Sequence, residues 1–337
     1  MTARRNRPTF VSLLRGSRRP SLHSLRKTFR NALPNLAEWA IDRGRIERHV
    51  LQPRYRAYLR QHQIARPLAA RDRDIVDRLR DRGQCATSLE SLEIPGYESF
   101  VRAGNQLFDT LEDNCDRRTK FQTTPEFALL KSHLEIFQWA LGDRLLSIAE
   151  NYIELPVAYD TCLCNVSVNN GLETATRRWH LDNEDRRVLK VIIYFSDVEA
   201  GGGPFQAIDP DSSRRVLAGV GDRCAFLNSP QFEALLAARA PRAEPLEYTG
   251  AAGTVVFADT AKVYHRGQPP VTRARRAITF GYCSRRPQRP FRCGRNELDR
   301  AQLEQLATGL DRDRRACVLW KNSLPLLARS IPTYFYG

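Results

Sequence analysis

RRWHLDNEDRRVLKVIIYFSDV, residues 177–198, sets His180 between Trp179 and Leu181-Asp182, then runs through a polar turn into the apolar stretch Val188–Phe195. A β-rich run bounded by polar residues reads as a strand. Similar runs recur on both sides: TCLCNVSV (161–168), RCAFLNS (223–229), GTVVFADT (253–260) and AITFGYCS (277–284). Short strands separated by turn signals predict a closed or double-sheet β architecture. Upstream the pattern is helical. DRDIVDRLRDRG ends at Gly83, a C-terminal stop, and a second helix buries Phe100, Ala103, Leu107 and Leu111. Thr124-Pro125 predicts the start of a third, with Phe127, Leu130, Leu134, Phe137 and Leu141 on one face and Leu145 and Ile148 continuing it past Gly142.

His180 and Asp182, two apart at a strand edge, point their side chains to one side. A second histidine, His265, closes the run GTVVFADTAKVYH. Two imidazoles and one carboxylate leave three coordination positions open, the facial arrangement that suits Fe(II) binding a co-substrate and O2 together. Arg273, Arg275 and Arg276 follow at the start of the next strand, where a guanidinium can return toward the metal and bind a carboxylate bidentately. Lys190, a lone cation in an apolar strand, reads equally as a ligand for that carboxylate or as an ion-paired side chain. Trp179 reads as core. His49 and His133, with no partner at ligand spacing, read as surface or packing residues.

The 337 residues carry a net charge of +15, and its placement matters more than its total. Nine basic residues stand in the first thirty, with no acidic residue before Glu38; without them the chain is only about +6. That charge fits contact with an anionic surface and predicts no specific nucleic acid. No run reaches the length of a membrane span. Eight cysteines without a C-x-x-C pair fit reduced thiols in a cytoplasm, and Cys162 and Cys164 share a strand face rather than forming a zinc clip.

From about Thr87 to Ser284 the sequence resembles the phytanoyl-CoA dioxygenase-like branch of the Fe(II)/2-oxoglutarate-dependent dioxygenases. The resemblance is carried by RRWHLDNEDRRVLKVIIYFSDVEAGGGPF and by GTVVFADTAKVYHRG with RRAITF. It implies a mainly β fold with flanking helices (α+β) around a double-stranded β-helix, or jelly-roll, core. It puts the metal ligands at His180, Asp182 and His265. The 2-oxoglutarate-binding arginine falls on Arg275, with Arg276 kept as the alternative because the spacing from His265 is one residue short of the family pattern. Fe(II), 2-oxoglutarate and O2 are then the implied cofactor and co-substrates. The implied reaction is hydroxylation of a small-molecule, lipid or acyl substrate with release of succinate and CO2. A carboxylate at Asp182 favours this over halogenation.

The expected organisation is a basic arm (1–36), a helical region packing on the core (37–154), the β core (155–286) and a C-terminal extension (287–337). The substrate is expected over the barrel mouth, shaped by residues 169–177 and the turn Gly201–Gly203. The competing reading is an inactive jelly-roll binding protein whose basic arm docks on nucleic acid or an anionic membrane.

Overall fold

The computed structural model describes residues 30–42, 46–64, 66–113, 120–294 and 298–334, so most of the expected basic arm lies outside the described residues. Among them, nine strands pair antiparallel throughout. They are β1 (Gln84–Ser88), β2 (Gln122–Thr123), β3 (Val157–Ser167), β4 (Leu189–Tyr194), β5 (Phe205–Ala207), β6 (Leu246–Tyr248), β7 (Thr254–Asp259), β8 (His265–Gly267) and β9 (Arg275–Ser284). Six form a large sheet in the order β1-β7-β4-β9-β3-β2, and three form a small one in the order β6-β5-β8. The fold is therefore α+β, with flanking helices. Two of the large-sheet strands, β1 and β2, come from the region upstream of residue 155.

Period-two alternation divides the large sheet cleanly. Leu189, Val191 and Ile193 of β4, Val255 and Phe257 of β7, and Ile278 and Phe280 of β9 join Leu79, Phe100, Leu107, Phe108 and Ile136 from the helices in the main core. The intervening residues Ile192, Tyr194, Val256, Ala258 and Ala277 pack instead with Phe205 and Ala207 of the small sheet. One face of the large sheet is thus covered by helices and the other by the second sheet. The helix Tyr97–Asp113 approaches closely because Gly104 carries no side chain: a Cβ there would lie 2.2 Å from Phe195 Cε1.

The helix Ala70–Arg82 ends as its sequence predicts, with Gly83 at φ 69° accepting the left-handed cap that L side chains disfavour. The Thr124-Pro125 start requires correction. The single helix expected there is three pieces, Phe127–Ser132, Leu134–Trp139 and Asp143–Ile153, broken at His133, which leaves the helical region (φ −118°, ψ 50°), and restarted at Gly142. Ile136 and Trp139 lie off the expected stripe and are buried as well, and a straight helix could not turn both sets toward one core. RCAFLNS also falls short of a strand. It contributes one bridge, Leu227 to Trp179, because Asn228 already caps the next helix with a reciprocal side-chain and backbone pair to Gln231. No described helix is long and apolar enough to cross a membrane.

Candidate active site

The small sheet continues beyond β8 through single bridges, and these assemble the site. His180 and His265 exchange both backbone hydrogen bonds at 3.1 Å, so they are direct cross-strand neighbours with side chains on one face. Asp182, two residues on, shares that face, its own amide donating to the Thr260 carbonyl at 2.9 Å. The ligand atoms of His180, Asp182 and His265 lie within 4.8 Å of one another. Among the described residues this is the one group of three such side chains close enough to share a metal ion.

The two imidazoles are oriented alike. Nδ1 of His180 sits 2.8 Å from the Arg178 carbonyl, and Nδ1 of His265 sits 3.1 Å from the Val263 carbonyl. A carbonyl only accepts, so Nδ1 of each ring carries a proton, and Nε2, the atom left to ligate, faces Asp182. Nε2 of His180 is 3.8 Å from Asp182 Oδ1, and Nε2 of His265 is 3.9 Å from Oδ2. Burial, together with the neighbouring His180, holds His265 well below the ordinary histidine range, which keeps it neutral as metal ligation requires. Phe226 stacks on His180 with ring centroids 4.8 Å apart.

His265 also makes the metal-free protein sensitive to acid. Its folded pKa is depressed, so the unfolded chain binds the extra proton; the stability of the neutral form is complete above about pH 6.5 and is lost as pH falls below it. The expected loss is at most about 1.4 kcal/mol per pH unit. Urea unfolding of metal-free protein between neutral and mildly acidic pH checks this, and the slope should flatten in His265→Gln.

Lys190 shares the face of Ile192 and reaches the carboxylate from β4, its Nζ 2.5 Å from Asp182 Oδ2. The two candidate arginines, adjacent in β9, point opposite ways. Arg275, aligned with Ala277 and Thr279, enters the cavity between the sheets, where Nη1 donates to the Gly203 carbonyl. Its Nε is buried without a hydrogen-bond partner among the described residues, and burial lowers its pKa. Arg276 faces the helices, its Nη1 3.0 Å from Asp109 Oδ1. Arg273 is exposed beside Glu199. The structure therefore brings His180, Asp182, His265, Lys190 and Arg275 together and leaves Arg276 outside.

The cavity of about 1440 Å³ runs from this cluster, past Phe226 and the inner face of β3, to Trp320 and Tyr334 in the C-terminal extension. Of the expected mouth segments, residues 175–177 line it, and Arg178 just beyond them does so as well. Arg177 fixes that segment by donating to Asn170 Oδ1 (2.9 Å), Ser167 Oγ (3.1 Å) and the Val168 carbonyl (2.6 Å). Burial and the nearby Arg275 push its pKa down to about 10. The turn Gly201–Gly203 contributes chiefly through the carbonyl that meets Arg275. Trp179 is core, stacked on Phe232 at 3.9 Å with Arg266 over its ring. His49 is exposed. The sequence reading missed Phe226, Trp320 and Tyr334, because nothing local marks an aromatic residue as cavity wall when its partner surface is distant in the chain.

No family model matches the chain, and no curated protein matches it. Solved structures do. EctD from S. alaskensis with bound Fe is 18% identical, covering 68% of this chain and 82% of that one at a TM-score of 0.46. HygX from Streptomyces hygroscopicus with nickel and 2-oxoglutarate bound is 15% identical, covering 65% and 88% at 0.42. SnoN, a non-heme alpha ketoglutarate dependent epimerase from nogalamycin biosynthesis, is 13% identical, covering 65% and 86% at 0.42.

Proposed function

We propose that this protein is a non-haem Fe(II)- and 2-oxoglutarate-dependent oxygenase on a double-stranded β-helix core, of the phytanoyl-CoA dioxygenase-like type, hydroxylating a small-molecule or lipid-like substrate. The observation that carries the reading is the convergence of His180, Asp182 and His265 at a cavity that both histidines line together with Arg275. The donor set fits: two Nε2 atoms and one carboxylate match a 2-His-1-carboxylate site for Fe(II). Two sheets packed face to face, with the histidines paired in the smaller one, fit the jelly-roll assignment.

When bound, Fe(II) supplies the oxidation of a substrate C–H bond at the expense of 2-oxoglutarate and O2, with succinate and CO2 released. The chain supplies orientation. The Arg178 and Val263 carbonyls fix both imidazoles for ligation. Arg275 offers a charged fork to the distal carboxylate of 2-oxoglutarate, from a buried position where the pairing is strong. Lys190 holds the Asp182 carboxylate in place and adds positive charge to a site that takes a dianion. Leu303, Val318, Leu319, Trp320 and Leu324 give the far wall an apolar component against which a substrate could pack.

Anaerobic titration with Fe(II) and then 2-oxoglutarate tests the reading through the weak visible charge-transfer band of the chelate. The band should appear in wild type and vanish in His180→Ala. Iron bound without a band would sink the co-substrate assignment.

A further inference from the structure

The helix Ala32–Asp42 is amphipathic the wrong way round for a globular surface. It turns Asn31, Pro34 and Glu38 inward and sets Leu33, Leu36 and Trp39 outward at 57%, 59% and 49% exposure. Ile46 and Val50, farther along the chain, are exposed at 40% and 38%. The inward side is firmly tied. Glu38 is only 3% exposed; its carboxylate pairs with Arg292 and accepts from Cys224 Sγ at 2.9 Å. Cys224 Sγ in turn accepts from Nδ2 of Asn183, the neighbour of Asp182, at 2.8 Å. At the helix start, Arg30 lines the cavity that holds the metal cluster. The helix that carries the apolar face is therefore tied on its polar side to residues next to the cluster, and the chain just before it lines the cavity.

We propose that this helix docks the protein on an anionic lipid bilayer. Leu33, Leu36 and Trp39 would enter the headgroup boundary while the basic flank pairs with lipid phosphates. Three observations select lipid. An exposed apolar stripe containing a tryptophan suits the interface, where an amphipathic ring has one apolar and one wet side. The flank brings nine basic residues and no acidic one in the first thirty, a charge that complements an anionic leaflet. The same charge opposes pairing with a second copy, since each copy would bring the same nine cations to the contact. Docking through this face would bring Arg30, and with it the cavity it lines, toward the surface on which the lipid-like substrate of the proposed reaction would lie.

The molecule carries its own reporter. Of four tryptophans, Trp139, Trp179 and Trp320 are 8%, 2% and 3% exposed, so quenching by a lipid reads Trp39. Full-length protein would be mixed with vesicles of brominated phosphatidylcholine and phosphatidylglycerol, and separately with brominated phosphatidylcholine alone. The expected result is a blue shift and quenching with the anionic vesicles, reduced by added salt, and binding about tenfold weaker in Leu33→Ser/Leu36→Ser. Three outcomes overturn the proposal. One is no quenching by anionic vesicles at low salt. Another is vesicle binding undiminished in the double variant, which would leave the basic flank acting alone. The third is a dimer in analytical ultracentrifugation that disappears in that variant, which would make the face a protein contact. None of these readouts involves iron, so the oxygenase reading stands or falls separately.

Discussion

Asp182→Ala is expected to lose Fe(II) affinity by more than about 100-fold, beyond the 10–100-fold typical of outer partners of a metal site. The carboxylate is the one anionic ligand in the cluster, it is 0% exposed, and it lies within reach of both Nε2 atoms. Its removal has a second effect. Lys190, with a side chain only 13% exposed, loses the oxygen 2.5 Å from its ammonium. Breaking one side of a buried pair costs on the order of 3 kcal/mol, because the remaining charge stays desolvated. A chain of this size should then melt roughly 6 °C lower. The two effects separate in Asp182→Ala/Lys190→Met, which should recover most of the melting temperature while still failing to bind iron. Isothermal titration with Fe(II) under anaerobic conditions and thermal melts of the metal-free proteins measure both. Iron affinity within a few-fold of wild type in Asp182→Ala would remove the carboxylate from the site.

Arg275→Ala should raise the 2-oxoglutarate concentration needed for the charge-transfer band by about 100-fold, on the order of 3 kcal/mol for a lost charged fork. Arg276→Ala should leave it within about twofold, since that guanidinium points to Asp109 on the opposite face. Gly267→Ala offers a subtler probe. A Cβ at Gly267 would stand 2.9 Å from Arg275 Nη2, so the guanidinium must shift even though its charge remains. An intermediate loss of about tenfold in 2-oxoglutarate affinity, with Fe(II) affinity unchanged, is expected if Arg275 acts by position as well as charge. Equal effects of the two arginine substitutions would contradict the assignment.

What the sequence determined by itself are the features that repeat along the chain or lie close within it. The apolar, turn-bounded runs mark β4 and β9 as strands, the cap at Gly83 follows from its freedom at positive φ, and the pairing of His180 with Asp182 follows from a two-residue spacing. His265 and the three-arginine segment were found as candidates by the same local reasoning. Tertiary structure decided everything that depends on which distant surfaces meet. His180 and His265 share a face because their backbones pair across 85 positions. Arg275 rather than Arg276 enters the cavity because the register with β3 fixes which side of β9 faces inward. The helix expected from Thr124 breaks at His133 because two sets of apolar residues must reach one core. Glu38 is buried, and Leu33, Leu36 and Trp39 are exposed, because an ion pair with Arg292 holds the helix on its polar side. Periodicity counts apolar positions but carries no information about the partner that will cover them, and a buried charge 254 residues from its counter-ion is invisible until the chain is folded.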